Sequence, residues 1–579
     1  MNIQALLVER FKQALTELSW ADAPVPVAKG NRPGFGDYQF NGAMALAKKL
    51  KQNPRDIAAT ILDAVKLDDV AEKLEIAGPG FINIHLKPQW LATQIKLAAS
   101  NERLGVDIQS KQTVVVDYSA PNLAKEMHVG HLRSTIIGDA VVKCLEFLGH
   151  EVKRQNHMGD WGTQFGMLLA HLQDKLLQNE VAETALSDLE NFYREAKVRF
   201  DSEEGFADKS REYVVRLQGG DGECLSLWQN FIDVSISHSE EVYEKLNVTL
   251  TREHVMGESA YNKDLANVIT ELKEKGISVE DQGAQVVFIP ELADKKGNPA
   301  VYIVQKSGGG YLYATTDLAA IRYRSNVLNA NRTLIFTDAR QALHFKQTEI
   351  VARKAGFMNE QEQYQHCPFG MMLGKDNKPF KTRTGGTVKL VDLLDEAIER
   401  ANKLVLTRSP DIEPTALKEM SHKLGIGAVK YADLSKNRTT DYVFDWDSML
   451  SFEGNTAPYL QYAYTRIQSI FTKAGIAKGE LATDNELVIT EDAEKALALQ
   501  LLQLTDALQI LAKEATPHVL CTYLYELASI FMRFYEACPI LKEGVSGSAK
   551  QSRLMLAQHT ANVLSLGLDL LGIETMQSM

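Results

Sequence analysis

Two histidines three positions apart, His128 and His131, have the spacing best suited to phosphate chemistry in this sequence. On a helical first turn this spacing places both imidazole rings on one face. Gly130, which has no side chain, would let a flat ligand such as adenine approach the backbone. Imidazoles beside a helix N-terminus offer N–H donors and a positive dipole to an anion. The same pattern also fits two histidines that cap a helix, or half of a metal site.

The elements around this HxGH motif favour nucleotide binding. Residues 114–116 form an apolar, β-branched run typical of a buried parallel strand. Residues 119–122 interrupt the strand, and Pro121 predicts an extended conformation for the residue before it. Apolar residues at helical spacing follow over 132–148, and residues 151–156 can form the next strand. This is a βαβ unit, and ligands of open α/β sheets bind at the carboxyl ends of the strands.

Polar side chains also occur at two later strand-to-helix junctions. Tyr313 and Asp317 lie at one junction, and Asp338, Gln341 and His344 follow a short strand at the other. Asp317 could simply cap its helix. Polar residues at three junctions are nevertheless more than capping explains, and we expect them to face one crevice.

A basic, glycine-flanked loop follows at residues 369–386 and carries Lys375, Lys378, Lys381 and Arg383. Such a loop can close over a triphosphate and neutralise charge on the leaving pyrophosphate. An ordinary basic surface loop is the alternative.

Length and composition predict a protein of several domains. The chain has 579 residues, a net charge of −12 and five cysteines without a CxxC pair. The cysteine pattern argues against a structural zinc site and a disulfide framework, and fits a reducing cytosol. We find no signal peptide and no apolar run long enough to cross a membrane, so we expect a cytoplasmic protein.

Both ends of the chain contain residues that could contact RNA. Near the N-terminus, Tyr38, Phe81 and Asn83 could stack on an unpaired base, although the core of a small domain is the favoured interpretation. Residues 430–440 mix basic and hydroxyl side chains suited to phosphate contacts. Beyond 456 the pattern predicts a helical bundle, whose tyrosines and arginines either stack on bases or belong to the core and rim of the bundle.

Longer motifs resemble the arginyl-tRNA synthetases, which are class I aminoacyl-tRNA synthetases, over essentially the whole chain and most closely the bacterial members. The sequence Ser119-Ala120-Pro121-Asn122-Leu123-Ala124-Lys125-Glu126-Met127-His128-Val129-Gly130-His131 is similar to the family's signature. Four further matches lie at 159–164, 256–259, 313–317 and 427–431.

The resemblance implies ATP-dependent formation of arginyl-adenylate and transfer of arginine to tRNA(Arg), with Mg²⁺ accompanying ATP. It implies that His128 and His131 stabilise the phosphates. The implied arginine site consists of Asp117, Asn122, Tyr313, Asp317 and Gln341, with the two aspartates as partners for the guanidinium. We also expect ATP contacts from Gly130, Asp338, His344, Met371 and Met372. We expect tRNA contacts from Tyr38, Phe81, Asn83, Lys436, Asn437, Arg438, Tyr459, Tyr462 and Arg466.

One motif departs from the class I pattern. Where those enzymes carry KMSKS, residues 378–383 read Lys-Pro-Phe-Lys-Thr-Arg. We therefore hypothesise that Lys125, Lys378, Lys381 and Arg383 share the charge-neutralising role. The family also implies a monomer that needs bound tRNA before it activates arginine. No protein ligands for a metal are legible.

These observations predict an α/β Rossmann-type catalytic domain between two RNA-binding domains. The expected boundaries are 1–108 for a D-loop-recognising domain, 109–390 for the catalytic domain with a helical insertion at about 167–255, 391–455 for a helical connection and 456–579 for an anticodon-binding bundle. Another class I ligase or a smaller nucleotidyltransferase would not need the bundle. A non-catalytic RNA-binding paralogue would be expected to lose the histidines or the basic loop.

Overall fold

The structure is a computed structural model that describes residues 2–30, 35–178, 181, 186–380, 388–476 and 486–579. Lys381 and Arg383, two of the residues predicted to neutralise phosphate charge, lie outside the described residues. The structure confirms the predicted class: a parallel-sheet α/β domain lies between a small α/β domain and a helical bundle.

The N-terminal domain packs four helices against an antiparallel sheet of order β1-β2-β4-β3. Asn53 and Pro54 begin α3 as sequence rules predict, because the Asn53 side chain accepts a hydrogen bond from the Arg55 N–H and Pro54 needs no partner for its nitrogen. Its elements are α1 (Ile3–Glu17), β1 (Val27–Lys29), β2 (Tyr38–Phe40), α2 (Ala43–Leu50), α3 (Pro54–Ala64), β3 (Ala71–Ala77), β4 (Phe81–Leu86) and α4 (Pro88–Ala99).

The catalytic domain is built on a parallel four-stranded sheet of order β11-β10-β5-β6. Its strands are β5 (Thr113–Asp117), β6 (Glu151–Gln155), β10 (Arg332–Ile335) and β11 (Gln363–His366), and α5 (Leu132–Phe147) joins the first two. The chain leaves β5 toward β6 on one side and later returns through β10 on the other side. The boundary between β5 and β10 is therefore a topological switch point, where α/β sheets bind ligands.

A helical insertion and a small antiparallel sheet separate β6 from β10. The insertion comprises α6 (Gln164–Leu177), α7 (Leu189–Ser202), α8 (Phe206–Gln218) and α9 (Gly222–Lys245). The following unit comprises α10 (Leu265–Glu274), the sheet of β7 (Val279–Asp281), β8 (Ala284–Ile289) and β9 (Ala300–Gln305), and α11 (Tyr313–Asn326). This unit and α12 (Ala342–Ala355) enclose a second core, separate from the main one.

The C-terminal third is helical, as predicted. Two short strands, β12 (Met372–Leu373) and β13 (Tyr442–Val443), pair in parallel, and two of the connecting helices lie between them in sequence. The helices are α13 (Leu390–Arg408), α14 (Pro414–Leu434), α15 (Trp446–Met449), α16 (Ala457–Ala474), α17 (Asp492–Leu501), α18 (Leu504–Glu514), α19 (His518–Ala537) and α20 (Gly547–Leu570). No helix in the described ranges is long and apolar enough to span a membrane.

The two ends of the chain contact each other directly. Asn2 donates a hydrogen bond to Gln509, with 3.0 Å between the two side-chain atoms, and the Lys29 ammonium lies 2.9 Å from the Gln503 side-chain oxygen. Lys495 forms an ion pair with Asp37 at 3.1 Å. The N-terminal domain and the bundle thus pack against each other.

Candidate active site

The predicted site lies at the switch point of the parallel sheet. Asp117, the last residue of β5, is in register with Ile335, the last residue of β10. The segments that follow both strands therefore leave the sheet side by side. These segments carry the HxGH motif on one side and Asp338, Gln341 and His344 on the other.

The two histidines of the HxGH motif bracket a 3-10 turn, Val129–His131, rather than the first turn of an α-helix. His128 Nδ1 accepts a hydrogen bond from the Gly130 N–H at 3.0 Å, and His131 Nδ1 accepts from the His128 N–H at 3.1 Å. The rings lie 4.0 Å apart between centroids. Since both Nδ1 atoms accept backbone protons, each neutral ring carries its proton on Nε2 and can donate it to an anion.

Burial holds both histidines in their neutral form. It lowers the pKa of His128, and burial together with the neighbouring His128 lowers the pKa of His131 to about 3. A Cβ at Gly130 would meet the His128 ring at 2.7 Å, so the absent side chain makes room for an imidazole. The prediction that Gly130 leaves space for adenine is therefore corrected: the His128 ring occupies that space.

The loop before the motif is strained at two adjacent residues. Ser119 and Ala120 have φ values of 71° and 46°, so the extended conformation predicted for the residue before Pro121 is wrong. The Ala120 N–H donates to the Asn156 side-chain oxygen at 2.9 Å, and the Ser119 N–H donates to Ser134 Oγ at 2.9 Å. Left-handed conformations of residues other than glycine persist where surrounding contacts fix them, and they concentrate at functional sites.

Asn122 is exposed at the mouth of the crevice. Its side-chain oxygen accepts hydrogen bonds from the Ala124 N–H at 3.0 Å and from Gln164 Nε2 at 3.1 Å. Gly159 pairs with it as an isolated parallel bridge. The exposed Asn122 side chain also carries amide N–H donors, which are suited to a carboxylate.

Asp117 does not have the free carboxylate that the sequence analysis expected. Asp117 and Arg324 are 6% and 2% exposed, and their side chains form an ion pair at 2.6 Å. Arg324 also donates to the Gln155 side chain at 2.6 Å. A carboxylate that is already paired and buried is not available to a guanidinium, so the assignment of Asp117 as a charge partner of arginine is corrected to a structural role.

We expect Arg324→Met to lower the free energy of unfolding by about 3–5 kcal/mol, because it leaves the Asp117 carboxylate buried without its partner. The measurement is the urea unfolding midpoint followed by circular dichroism. The double variant Asp117→Asn/Arg324→Met should recover part of the loss. An unchanged midpoint in the single variant would contradict the structural role.

Asp317 has the accessible carboxylate. Helix α11 begins at Tyr313 with Leu312 as its N-cap, so Asp317 lies inside the helix and does not cap it. Its Oδ2 lies 2.6 Å from His344 Nε2, and its Oδ1 lies 3.8 Å from His157 Nε2. Tyr313 is 64% exposed, and its ring packs against His344 at 4.9 Å. Segments after β6, β9 and β10 therefore meet at this carboxylate.

Glu258 is the residue that sequence reasoning missed. Burial raises the pKa of Glu258 to about 7, and the charges of Asp317 and Asp160 add to this effect. Asp160 itself is held by the Ser259 N–H and hydroxyl at 2.8 and 2.6 Å. Glu258 lies in the family match at 256–259, which could have identified it. An isolated glutamate next to a charged helical insertion is, however, typical of a solvent-exposed residue.

We use the name acidic pocket for the group Glu258, Asp317, His157, His344 and Tyr313: the last four are joined by the contacts above, and the charge of Asp317 helps to raise the pKa of Glu258. Two carboxylates whose charges oppose each other at close range are stabilised by a bound cation. Gln341, also predicted to contact arginine, is exposed at the 3-10 turn before α12. The pocket is therefore suited to a cationic, planar ligand.

The other predicted phosphate and ATP contacts differ in their exposure. Lys125 is exposed, with its ammonium 4.2 Å from the Tyr193 ring centroid, and Lys378 is exposed at a turn. Met371 is 41% exposed, whereas Met372 is buried in β12. The Asp338 side chain accepts from the Arg340 N–H at 2.8 Å.

Three of the predicted RNA contacts are buried, which corrects their assignment. Tyr38 and Asn83 are each 2% exposed, and Phe81 remains partly exposed. Tyr38 belongs to the main hydrophobic core, and the Asn83 side-chain oxygen accepts a hydrogen bond from Gln39 Nε2 at 2.7 Å. Arg438 is 9% exposed and donates to the carbonyls of Ala515 and Pro368 at 3.0 and 2.7 Å. Its neighbours Lys436 and Asn437 are exposed.

On α16, Tyr462 is 37% exposed, Arg466 is exposed and Tyr459 is half-buried against Tyr525. The Arg466 guanidinium lies 5.4 Å from the Tyr535 ring centroid. These side chains present aromatic faces and a cation together, which is the combination that binds unpaired bases.

Comparisons with known proteins give one consistent result. The family model for the catalytic domain of "tRNA synthetases class I (R)" matches residues 94–446. Models of the arginyl tRNA synthetase N terminal domain and the DALR anticodon binding domain match 5–86 and 460–579. The chain is 71% identical over 579 residues to the arginine–tRNA ligase of Alteromonas mediterranea and 68% identical over 580 residues to that of Pseudoalteromonas atlantica, with full coverage of both chains in each case.

Solved structures agree with the sequence relatives. The arginyl-tRNA synthetase of Plasmodium falciparum superposes with a TM-score of 0.87 at 31% identity, covering 100% of this chain and 99% of that one. The Thermus thermophilus arginyl-tRNA synthetase superposes with a TM-score of 0.83 at 24% identity and covers both chains fully, which supports the fold.

Proposed function

Since the chain belongs to the arginine–tRNA ligases, a class I aminoacyl-tRNA synthetase family that uses ATP, it charges tRNA with arginine, and we propose that the crevice between β5 and β10 carries out both steps of that reaction. The observation that carries this proposal is the acidic pocket beside a pair of Nε2-protonated histidines. The pocket offers carboxylates to a guanidinium, and the histidines offer N–H donors to phosphate.

In this proposal the arginine guanidinium binds Asp317 and Glu258, and Tyr313 forms a wall of the pocket. A guanidinium has a planar fork of donors that matches two carboxylates, whereas a lysine ammonium is a point charge. Asn122, on the HxGH side of the crevice, and Gln341, on the side of His344, bind the α-amino and carboxylate groups. The arginine carboxylate is thereby directed toward the HxGH motif.

We assign to His128 and His131 the stabilisation of the α-phosphate as the arginine carboxylate attacks it. The bond from the α-phosphorus to the pyrophosphate oxygen breaks as the acyl–phosphate bond forms, and the negative charge moves to pyrophosphate. Neutral imidazoles fixed through Nδ1 donate through Nε2 without reorganising, which favours the transition state. Lys125, Lys378, Lys381 and Arg383 are the cations proposed to neutralise the leaving group. Asp338, His344, Met371 and Met372 complete the proposed ATP surroundings.

Mg²⁺ is proposed to arrive with ATP. Among the residues that the structure describes, no group of three or more His, Cys, Asp or Glu side chains is placed to hold a metal ion. Mg²⁺ is usually bound through substrate phosphates and water with few protein ligands, so this arrangement suits ATP-borne Mg²⁺.

The proposed RNA surfaces lie on the two flanking domains. Phe81 on the N-terminal domain contacts the D-loop, residues 391–455 connect to the acceptor side, and Tyr459, Tyr462 and Arg466 on α16 contact the anticodon. Lys436 and Asn437 contact phosphates. We propose a cytoplasmic monomer, because its tRNA substrate is used there in translation and one chain supplies all the proposed surfaces. Light scattering would test the oligomeric state.

The proposal is tested by ATP–pyrophosphate exchange with arginine, lysine or glutamate, each with and without tRNA(Arg). We expect exchange with arginine alone among the amino acids, and only when tRNA is bound. Equal exchange with lysine would contradict the carboxylate fork. Exchange without tRNA would keep the site assignment and remove the proposed requirement for RNA.

The pH dependence of arginine binding tests Glu258. Its pKa is raised to about 7, so the carboxyl is neutral below that pH and ionised above it. We expect KM for arginine to fall roughly tenfold between pH 6 and pH 8 as the ionised form becomes dominant. Glu258→Gln should raise KM and remove this dependence. A KM that varies equally in wild type and variant would assign the titration to another group.

A further inference from the structure

Lys430 is a buried lysine about one turn before the C-terminal end of the connecting helix α14. It is 1% exposed. Its ammonium donates to the carbonyl oxygens of Leu246 at 2.6 Å, Gly572 at 2.9 Å and Asn247 at 3.4 Å. An ammonium has three N–H groups, so these carbonyls use all of its donors. Lys430 is therefore part of an internal contact and does not belong to an RNA-binding surface, although residues 430–440 were predicted to suit phosphate contacts.

The three carbonyls belong to the ends of two helices from different domains. Leu246 is the C-cap of α9 in the catalytic insertion, and Gly572 follows the end of α20 in the bundle. Helix C-termini carry partial negative charge, which an ammonium stabilises. Asn247 and Gly572 both have positive φ, 51° and 67°, and a Cβ at Gly572 would collide with the Lys430 ammonium. The chain is thus shaped at this point to let one cation join two helix ends.

On the bundle side, this contact leads to the proposed anticodon surface. Gln461 lies on α16 between Tyr459 and Tyr462 and is fully buried. Its amide donates to the Glu574 carbonyl at 2.8 Å and to the Lys423 carbonyl at 3.2 Å. Residues 572–574 therefore connect α16 to Lys430 through the backbone.

On the catalytic side, the contact leads to the strained loop. Tyr243 lies one turn before Leu246 on α9 and is 2% exposed. Its hydroxyl accepts from Asn156 Nδ2 at 2.9 Å, so its proton is free to be donated to Ser119 Oγ at 2.8 Å. Asn156 in turn fixes Ala120. A shift of the α9 end would move the loop that carries Asn122 and precedes the HxGH motif.

We propose that Lys430 is the positioning residue through which RNA bound on α16 sets the conformation of the Ser119–Asn122 loop. The inference rests on the proposed RNA surface of α16. The coupling element runs by hydrogen bonds from Gln461 through residues 572–574 to Lys430 and then to Leu246. From Leu246 it follows α9 back to Tyr243, which is hydrogen-bonded to Ser119. Two sites linked in this way influence each other's equilibria only if the connecting element has two arrangements. The positive φ values of Ser119 and Ala120 are energetically costly, and they mark the segment that can relax.

The test compares two RNAs on the full-length enzyme. Arginine-dependent ATP–pyrophosphate exchange is measured with saturating tRNA(Arg) and with a saturating acceptor-stem minihelix that lacks the anticodon arm. In wild type we expect the full tRNA to support exchange at least about tenfold faster than the minihelix. In Lys430→Met and in Tyr243→Phe we expect this ratio to fall to about one, with the Kd for tRNA(Arg) within about twofold of wild type.

Controls separate coupling from stability and from RNA binding. Tyr523→Phe removes the hydroxyl of another buried tyrosine, which donates to the Leu501 carbonyl, and should keep the wild-type ratio. Tyr243→Phe removes a single hydroxyl and carries the test if Lys430→Met fails to fold. A ratio of one in the wild-type enzyme overturns the proposal. A ratio equal to that of wild type in both variants, when both are folded, also overturns it. Unchanged tRNA affinity in Tyr462→Ala would instead contradict the proposed RNA surface of α16.

Discussion

Asp317→Asn is expected to reduce kcat/KM for arginine by roughly 150-fold, about 3 kcal/mol, while KM for ATP stays within about twofold of wild type. The substitution preserves the shape of the side chain and removes the charge that the guanidinium needs. Because Glu258 would be left as the single carboxylate facing the guanidinium, the bidentate geometry that distinguishes arginine from lysine is also lost.

The measurement is steady-state aminoacylation of tRNA(Arg) at varied arginine. Asp281→Asn, the same change at an exposed position of β7, is the matched control and should leave kcat/KM unaltered. If Asp317→Asn retained wild-type kcat/KM for arginine, the acidic pocket would not be the arginine site.

His128→Asn is expected to slow adenylate formation by about 10²–10³. The asparagine side-chain oxygen can replace Nδ1 as the acceptor for the Gly130 N–H, so the 3-10 turn is retained, but nothing replaces the Nε2 donor. His128→Gln places an amide near the Nε2 position and should retain more activity. The two variants therefore separate the structural role of Nδ1 from the proposed role of Nε2 as a donor to phosphate.

Single-turnover formation of arginyl-adenylate with saturating tRNA(Arg) measures this effect. His150→Asn, at the amino end of β6 and remote from the crevice, provides a control for the type of substitution. Equal rates in His128→Asn and His128→Gln would show that Nε2 is not the group that acts on the phosphate.

The sequence predicted the elements that local patterns specify. The buried strand at 114–116 and the helix after HxGH follow from residue periodicity, and the switch-point location of the site follows from the βαβ order. These features depend on neighbours within a few turns of the chain, where residue type is decisive.

The predictions that were wrong depended on distant partners. Asp117 pairs with Arg324, which lies 207 positions away in sequence. Nothing near Asp117 signals that its charge is already neutralised. Tyr38 and Asn83 lie on short strands whose burial depends on the helices above them. Ala120 adopts positive φ because Asn156 accepts its N–H, which local preference before proline does not anticipate.

The contact between the two ends of the molecule also has a consequence for how the chain folds during synthesis. Lys29 can form its hydrogen bond with Gln500 only after 471 further residues have been made, and Asn2 can bond to Gln509 only after 507. The N-terminal domain, which leaves the ribosome before the bundle, must keep this face uncovered until the bundle has been made. Contacts of such long sequence separation form late and leave an intermediate open to misassembly. We therefore expect slowed translation of residues 460–579 to prolong the protease sensitivity of the N-terminal domain.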